Sequence, residues 1–166
     1  MRNVTLLCAF LALALSAGSA AAQGKGQAGF DKLKTLVGEW EGQSEDGVPS
    51  RASYQLISGG TALMETYEPG GEPAMVTIYA VDGDRVALTH YCSANNQPRM
   101  ESPPIEEEPQ RLAFAFTGGT NLASADTPHI DSLVLTFEDR DRFTQRWSWK
   151  EKGNEHFTTV HYTRKK

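Results

Sequence analysis

The stretch Leu88 to Met100 reads LTHYCSANNQPRM and gathers His90, Cys92, Asn95, Asn96, Gln97 and Arg99 into one short segment. An imidazole and a thiol two residues apart on a strand leave from the same face, about 7 Å apart along the chain. Val86 and Leu88 have the same parity, which marks that face as the inner one. Such a pair suits a thiolate–imidazolium nucleophile, two ligands of a metal, or a polar patch against a bound molecule. A small buried cysteine beside a hydrogen-bonded histidine is the plain structural alternative. No third catalytic partner can be named, and no Gly-x-Ser-x-Gly elbow exists. Catalysis by His90 and Cys92 therefore stays an alternative, and a non-enzyme is the favoured reading.

Asn96, Gln97 and Arg99 follow the strand, before a proline- and glutamate-rich loop. They read equally as a solvated hairpin tip and as a cavity rim whose amides and guanidinium select a polar or anionic group. Trp147 and Trp149 share one face of a later strand and are candidates to line the same cavity, with core packing as their ordinary role. Glu65 and Glu68 lie in one strand, and periodicity leaves open which of them points inward. The remaining histidines, His129, His156 and His161, include no pair at the i, i+4 spacing of a helical metal site. No metal centre is expected, and Glu106-Glu107-Glu108 reads as a solvated acidic loop.

The elements that must position these residues are mostly strands. Runs rich in Val, Ile, Thr, Tyr, Phe and Trp lie near 38–43, 51–58, 61–68, 74–82, 85–93, 110–117, 131–139, 142–150 and 155–164. Short turns at Ser58-Gly59-Gly60, Asp82-Gly83-Asp84, Asp139-Arg140-Asp141 and Lys152-Gly153-Asn154 join them, so successive strands must be antiparallel neighbours. Alternation is clear: Phe143, Gln145, Trp147 and Trp149 oppose Thr144, Arg146, Ser148 and Lys150. Before the strands, Phe30, Leu33 and Val37 recur at helical spacing and Gly38 supplies a stop. The pattern predicts an all-β, antiparallel up-and-down barrel of nine to ten strands with one short N-terminal helix.

The first residues are set apart from the fold. Met1-Arg2, an apolar run from Val4 to Leu15, and the small residues Ala20-Ala21-Ala22 form a signal-peptide pattern over 1–22. Residues 23–28 read as a flexible tether and 29–166 as a single barrel domain. Export to the periplasm or the extracellular space is expected, with no membrane insertion after cleavage. Cys8 leaves with that segment, so Cys92 has no partner for an intrachain disulfide. The chain carries 21 acidic against 16 basic residues, a formal net charge of −5, without a basic stripe. That balance argues against nucleic acid or anionic membranes as partners and leaves a small hydrophobic or amphipathic molecule. Oligomeric state is not legible.

The segment LVGEWEG, Leu36 to Gly42, follows the helix and opens the first strand. It resembles the Gly-x-Trp start of the lipocalin-like, or calycin, barrels. More broadly the chain resembles small secreted bacterial lipocalin-like domains of unknown function, through SGGTALMET, LTHYCSANNQPRM and DRFTQRWSW. The resemblance implies that Trp40 closes one barrel end beneath a basic residue, for which Arg164 is the candidate. It also implies a capacity to hold something small, and no transferable catalytic motif. Some ten-stranded barrels related to lipocalins hold haem through one histidine near the C-terminus. By that resemblance His161 would be the ligand, with Phe157 and Thr159 on its face; no other feature points to haem, and no cofactor is the leading expectation.

Overall fold

The computed structural model describes residues 14–105, 109–124 and 126–166, with side chains from residue 24 onward. The triplet Glu106-Glu107-Glu108 and the first thirteen residues of the expected leader lie outside the described residues. Helix α1 (Ala14–Lys34) precedes β1 (Gly38–Ser44), β2 (Pro49–Ile57), β3 (Ala62–Pro69), β4 (Met75–Asp82) and β5 (Arg85–Tyr91). Then come β6 (Gln97–Glu101), β7 (Arg111–Thr120), β8 (His129–Phe137), β9 (Arg142–Glu151) and β10 (Asn154–Arg164). Each strand pairs with the next, and β10 returns to β1, so the sheet is a closed antiparallel meander. Closure leaves no unpaired edge.

Two features depart from the sequence pattern. The tenth strand, β6, occupies residues read as a polar turn and rim. Pro98 has no N–H to donate, and it is tolerated because it faces only Gly119 of β7, while pairing with β5 starts at Thr89↔Arg99. The second departure is the helix, which runs back through the segment read as a flexible tether. It lies against β4 and β5, and Gly26 is what lets it approach. A Cβ there would stand 2.5 Å from the Gly83 carbonyl oxygen and 2.7 Å from that of Arg85. The helix buries Phe30 and Leu33, and the chain turning off Lys34 buries Leu36 while Val37 stays exposed. No described helix is long and apolar enough to cross a membrane.

The helix end of the barrel is filled with large side chains. Trp40 donates its indole N–H to the Leu36 carbonyl at 2.7 Å. Its ring meets Phe143 edge-on at 4.7 Å, and Phe143 stacks on Tyr162 at 4.7 Å. The Arg164 guanidinium lies 4.1 Å over the Trp40 ring. It donates to the carbonyls of Thr35 at 2.7 Å, Val37 at 2.9 Å and Arg140 at 3.1 Å, tying the last strand to the helix exit. Each large side chain removed from water here contributes about 1.5–3 kcal/mol.

Candidate functional site

Away from the helix, the inner face changes in size. Moving toward the other end, β1 runs Trp40, Gly42, Ser44; β2 runs Tyr54, Ala52, Ser50; and β10 runs Tyr162, Val160, Thr158. These three strands are neighbours, so their taper is cumulative. What it leaves is a cavity of about 450 Å³ that opens between the β1–β2, β3–β4 and β5–β6 turns. Tyr67, Met75, Ile130, Trp147 and Val160 supply apolar wall, while Ser50, His90, Cys92 and Thr158 supply polar atoms. Ligand sites of this kind are mostly apolar, with a few placed polar groups.

His90 is held by a row of paired residues. Tyr54, Glu65, Thr77 and His90 are in register across β2, β3, β4 and β5, all pointing inward. The Thr77 hydroxyl lies 2.9 Å from His90 Nδ1, and the imidazole sits 5.1 Å from the Trp147 ring. With 2 % exposure, burial pulls the histidine down from 6.5 to about 4, so it is neutral at ordinary pH. Its Nε2 is buried and has no hydrogen-bond partner among the described residues. Ser50 Oγ, also buried, interacts with the Tyr162 hydroxyl.

Cys92 follows the end of β5 and lines the cavity beside His90. Burial, as the largest influence, raises its thiol. A neutral imidazole and a protonated thiol do not make the activated ion pair that nucleophilic catalysis needs.

The other residues singled out in the sequence separate. Trp147 is in the cavity wall and Trp149 lines the cavity with it. Asn96 is buried, but it donates Nδ2–H to the Pro128 carbonyl at 2.8 Å and so ties the β5–β6 turn to the segment before β8. Gln97 accepts from the Thr120 hydroxyl on β7. Arg99 is exposed on the outer face, because Pro98 and Met100 on either side of it point inward. Neither Asn96, Gln97 nor Arg99 lines the cavity. His161 also faces outward between the inward Val160 and Tyr162, with Nδ1 3.2 Å from the Thr144 hydroxyl. A haem inside the barrel would find no axial ligand in it, and the expectation carried by that resemblance does not fit this geometry. Among the described residues, no three His, Cys, Asp or Glu side chains cluster as metal ligands.

Beneath the cavity lies a polar cluster that sequence reasoning only brushed. Glu65, 0 % exposed, accepts from Tyr79 Oη at 2.6 Å and from Gln145 Nε2 at 2.7 Å. Gln145 also donates to Tyr54 Oη at 2.9 Å and accepts from the Trp147 indole N–H at 3.3 Å, which joins the cluster to the cavity wall. Burial raises the Glu65 carboxyl, and the hydrogen bonds from Tyr79, Gln145 and Tyr54 pull the other way. The parity of Glu65 with Leu63 was the available signal, since it places Glu65 inward and Glu68 outward. Tyr67 shares that parity, and Ser50 shares the parity of Ala52 and Tyr54 on β2, so the same signal places both inward.

The fold and site together define a closed ten-stranded antiparallel barrel, plugged at one end beside an N-terminal helix and hollow at the other. Among the solved structures that share that fold are two. One is Rv2717c from M. tuberculosis, 13% identical, with a TM-score of 0.60 over 83% of this chain and 98% of that one. The other is a protein of unknown function from the DUF3598 family of Nostoc punctiforme PCC 73102, 18% identical, with a TM-score of 0.55 over 80% of this chain. This chain spans about half of that one, 48% of its length. At such identities the likeness is one of fold. The chain matches no family model and no curated protein.

Proposed function

We propose that this is an exported, lipocalin-like binding protein that holds one small, largely apolar molecule in the open end of its barrel. The observation that carries the reading is His90 Nε2, buried without a partner beside a cavity of about 450 Å³. A buried polar atom left unpaired costs about 1–3 kcal/mol, which a ligand hydroxyl or carbonyl would recover on binding. Export is supported by the charged start, apolar run and small residues of 1–22. Binding rather than turnover is supported by the neutral imidazole and the protonated thiol.

The test is a titration with the neutral dye N-phenyl-1-naphthylamine, paired with native mass spectrometry of protein purified from its own host. A saturable, single-site fluorescence rise or a copurifying small molecule is the expected result. A protein that neither takes the dye nor carries any adduct would overturn the proposal.

A further inference from the structure

The cavity also has a charge character, and this step rests on the binding reading above. Among the described residues, the charged ones in its lining are Asp46 and Glu72, both exposed at the mouth, and no lysine or arginine lines it. Arg99, the guanidinium expected at the rim, is on the outer surface. Deeper in, the polar cluster under the Trp147 wall holds another acid, Glu65. An anion entering this space would shed water, pass two carboxylates and meet no counter-charge.

The polar atoms that do face the cavity suit an uncharged group. Thr77 can donate to or accept from His90 Nδ1, so Nε2 is free to present either a lone pair or an N–H. We infer that the cavity selects an uncharged molecule, an apolar ring or chain bearing one hydroxyl or carbonyl, anchored by His90 Nε2, and that it rejects carboxylates. Lipid acids and other anionic amphiphiles are thereby excluded as its ligands.

One scaffold tests this. Naphthalene, 2-naphthol, 2-naphthoate and 2-naphthylmethylammonium differ in their polar group and are compared by equilibrium dialysis at about pH 7.5. 2-Naphthol should bind at least about ten-fold tighter than either ion, since each ion must be desolvated without a matched partner. His90→Leu should weaken 2-naphthol about five-fold or more relative to naphthalene, for one lost hydrogen bond. Naphthoate binding as well as naphthol would overturn the inference while the binding reading stands. Equal or tighter binding of the ammonium would shift recognition to Asp46 and Glu72 and overturn it likewise. A His90→Leu variant that loses naphthalene and naphthol in equal measure would also overturn it. Should none of the four bind, and the dye also fail, the binding reading falls and this inference with it.

Discussion

Acid should destabilise this protein through one named histidine. His90 is buried and pulled to about 4, against 6.5 for a free side chain. The unfolded chain therefore takes up a proton that the folded chain refuses throughout that window. Stability contributed by the neutral histidine is intact above 6.5, and is lost as the pH falls toward 4. The full gap is worth about 3 kcal/mol, and about 2 kcal/mol of it should be lost between pH 7 and pH 4.5. Glu65, in the same inward row, has its carboxyl raised, so its contribution changes in the opposite sense. It is common to wild type and variant, and cancels in the difference between them. The variant is His90→Gln, whose amide can still reach the Thr77 hydroxyl but has no titrating ring. Urea unfolding at about pH 7 and about pH 4.5 should show wild type losing about 2 kcal/mol more than His90→Gln. Parallel losses in the two proteins would refute the account of His90 as a buried, neutral group.

Four further outcomes follow from the packing. Glu65→Leu should lower unfolding stability by about 3 kcal/mol or more, because it strands the Tyr79 hydroxyl and the Gln145 amide in the interior; an unchanged urea midpoint would show that the cluster is not holding the barrel together. Gly26→Ala should cost about 1–3 kcal/mol, since its Cβ meets backbone oxygen of the β4–β5 turn at 2.5 Å. Gly24→Ala, with nothing within 4 Å, should be neutral or stabilising in the same thermal melts. Arg164→Lys should cost about 2–3 kcal/mol, because an ammonium cannot serve three carbonyls and stack on Trp40 together. A red-shifted tryptophan emission should accompany that loss, and an unchanged spectrum and melting point would count against the capping role.

How far the molecule is legible in its residues depends on whether a feature is local. Nine strands announce themselves because each has its own alternation and its own turn, as Lys152-Gly153 does with both residues at positive φ. Strand β6 does not, since Pro98, Arg99 and the preceding amides resemble a turn and only Met100 marks the inner face. Without that strand Arg99 falls in a turn, where hairpin tip and cavity rim are equally open to it; once Pro98 and Met100 are inward, alternation sends it outside. The helix over the supposed tether is a tertiary effect, made by the fit of Gly26 on a hairpin some sixty residues later.

The site divides along the same line. That His90 faces inward is a local fact, carried by its parity with Val86 and Leu88. That its row continues through Thr77 and Glu65 to Tyr54 depends on the register of three hairpins, and the approach of Gln145 from β9 depends on closure of the whole barrel. The hollow itself is readable only in part. Trp40 to Ser44, Tyr54 to Ser50 and Tyr162 to Thr158 each shrink toward one end of their strand, but in sequence β1 and β2 ascend in opposite senses and β10 lies a hundred residues away. Pairing β10 with β1 aligns the three tapers and turns unrelated small residues into one cavity wall. Gly42 shows the limit of the rule, for a Cβ there would strike Tyr162 at 2.5 Å and Ser50 at 2.6 Å. Its smallness seats the Tyr162 ring, so a small inward residue marks open space only when the strand beside it is small as well.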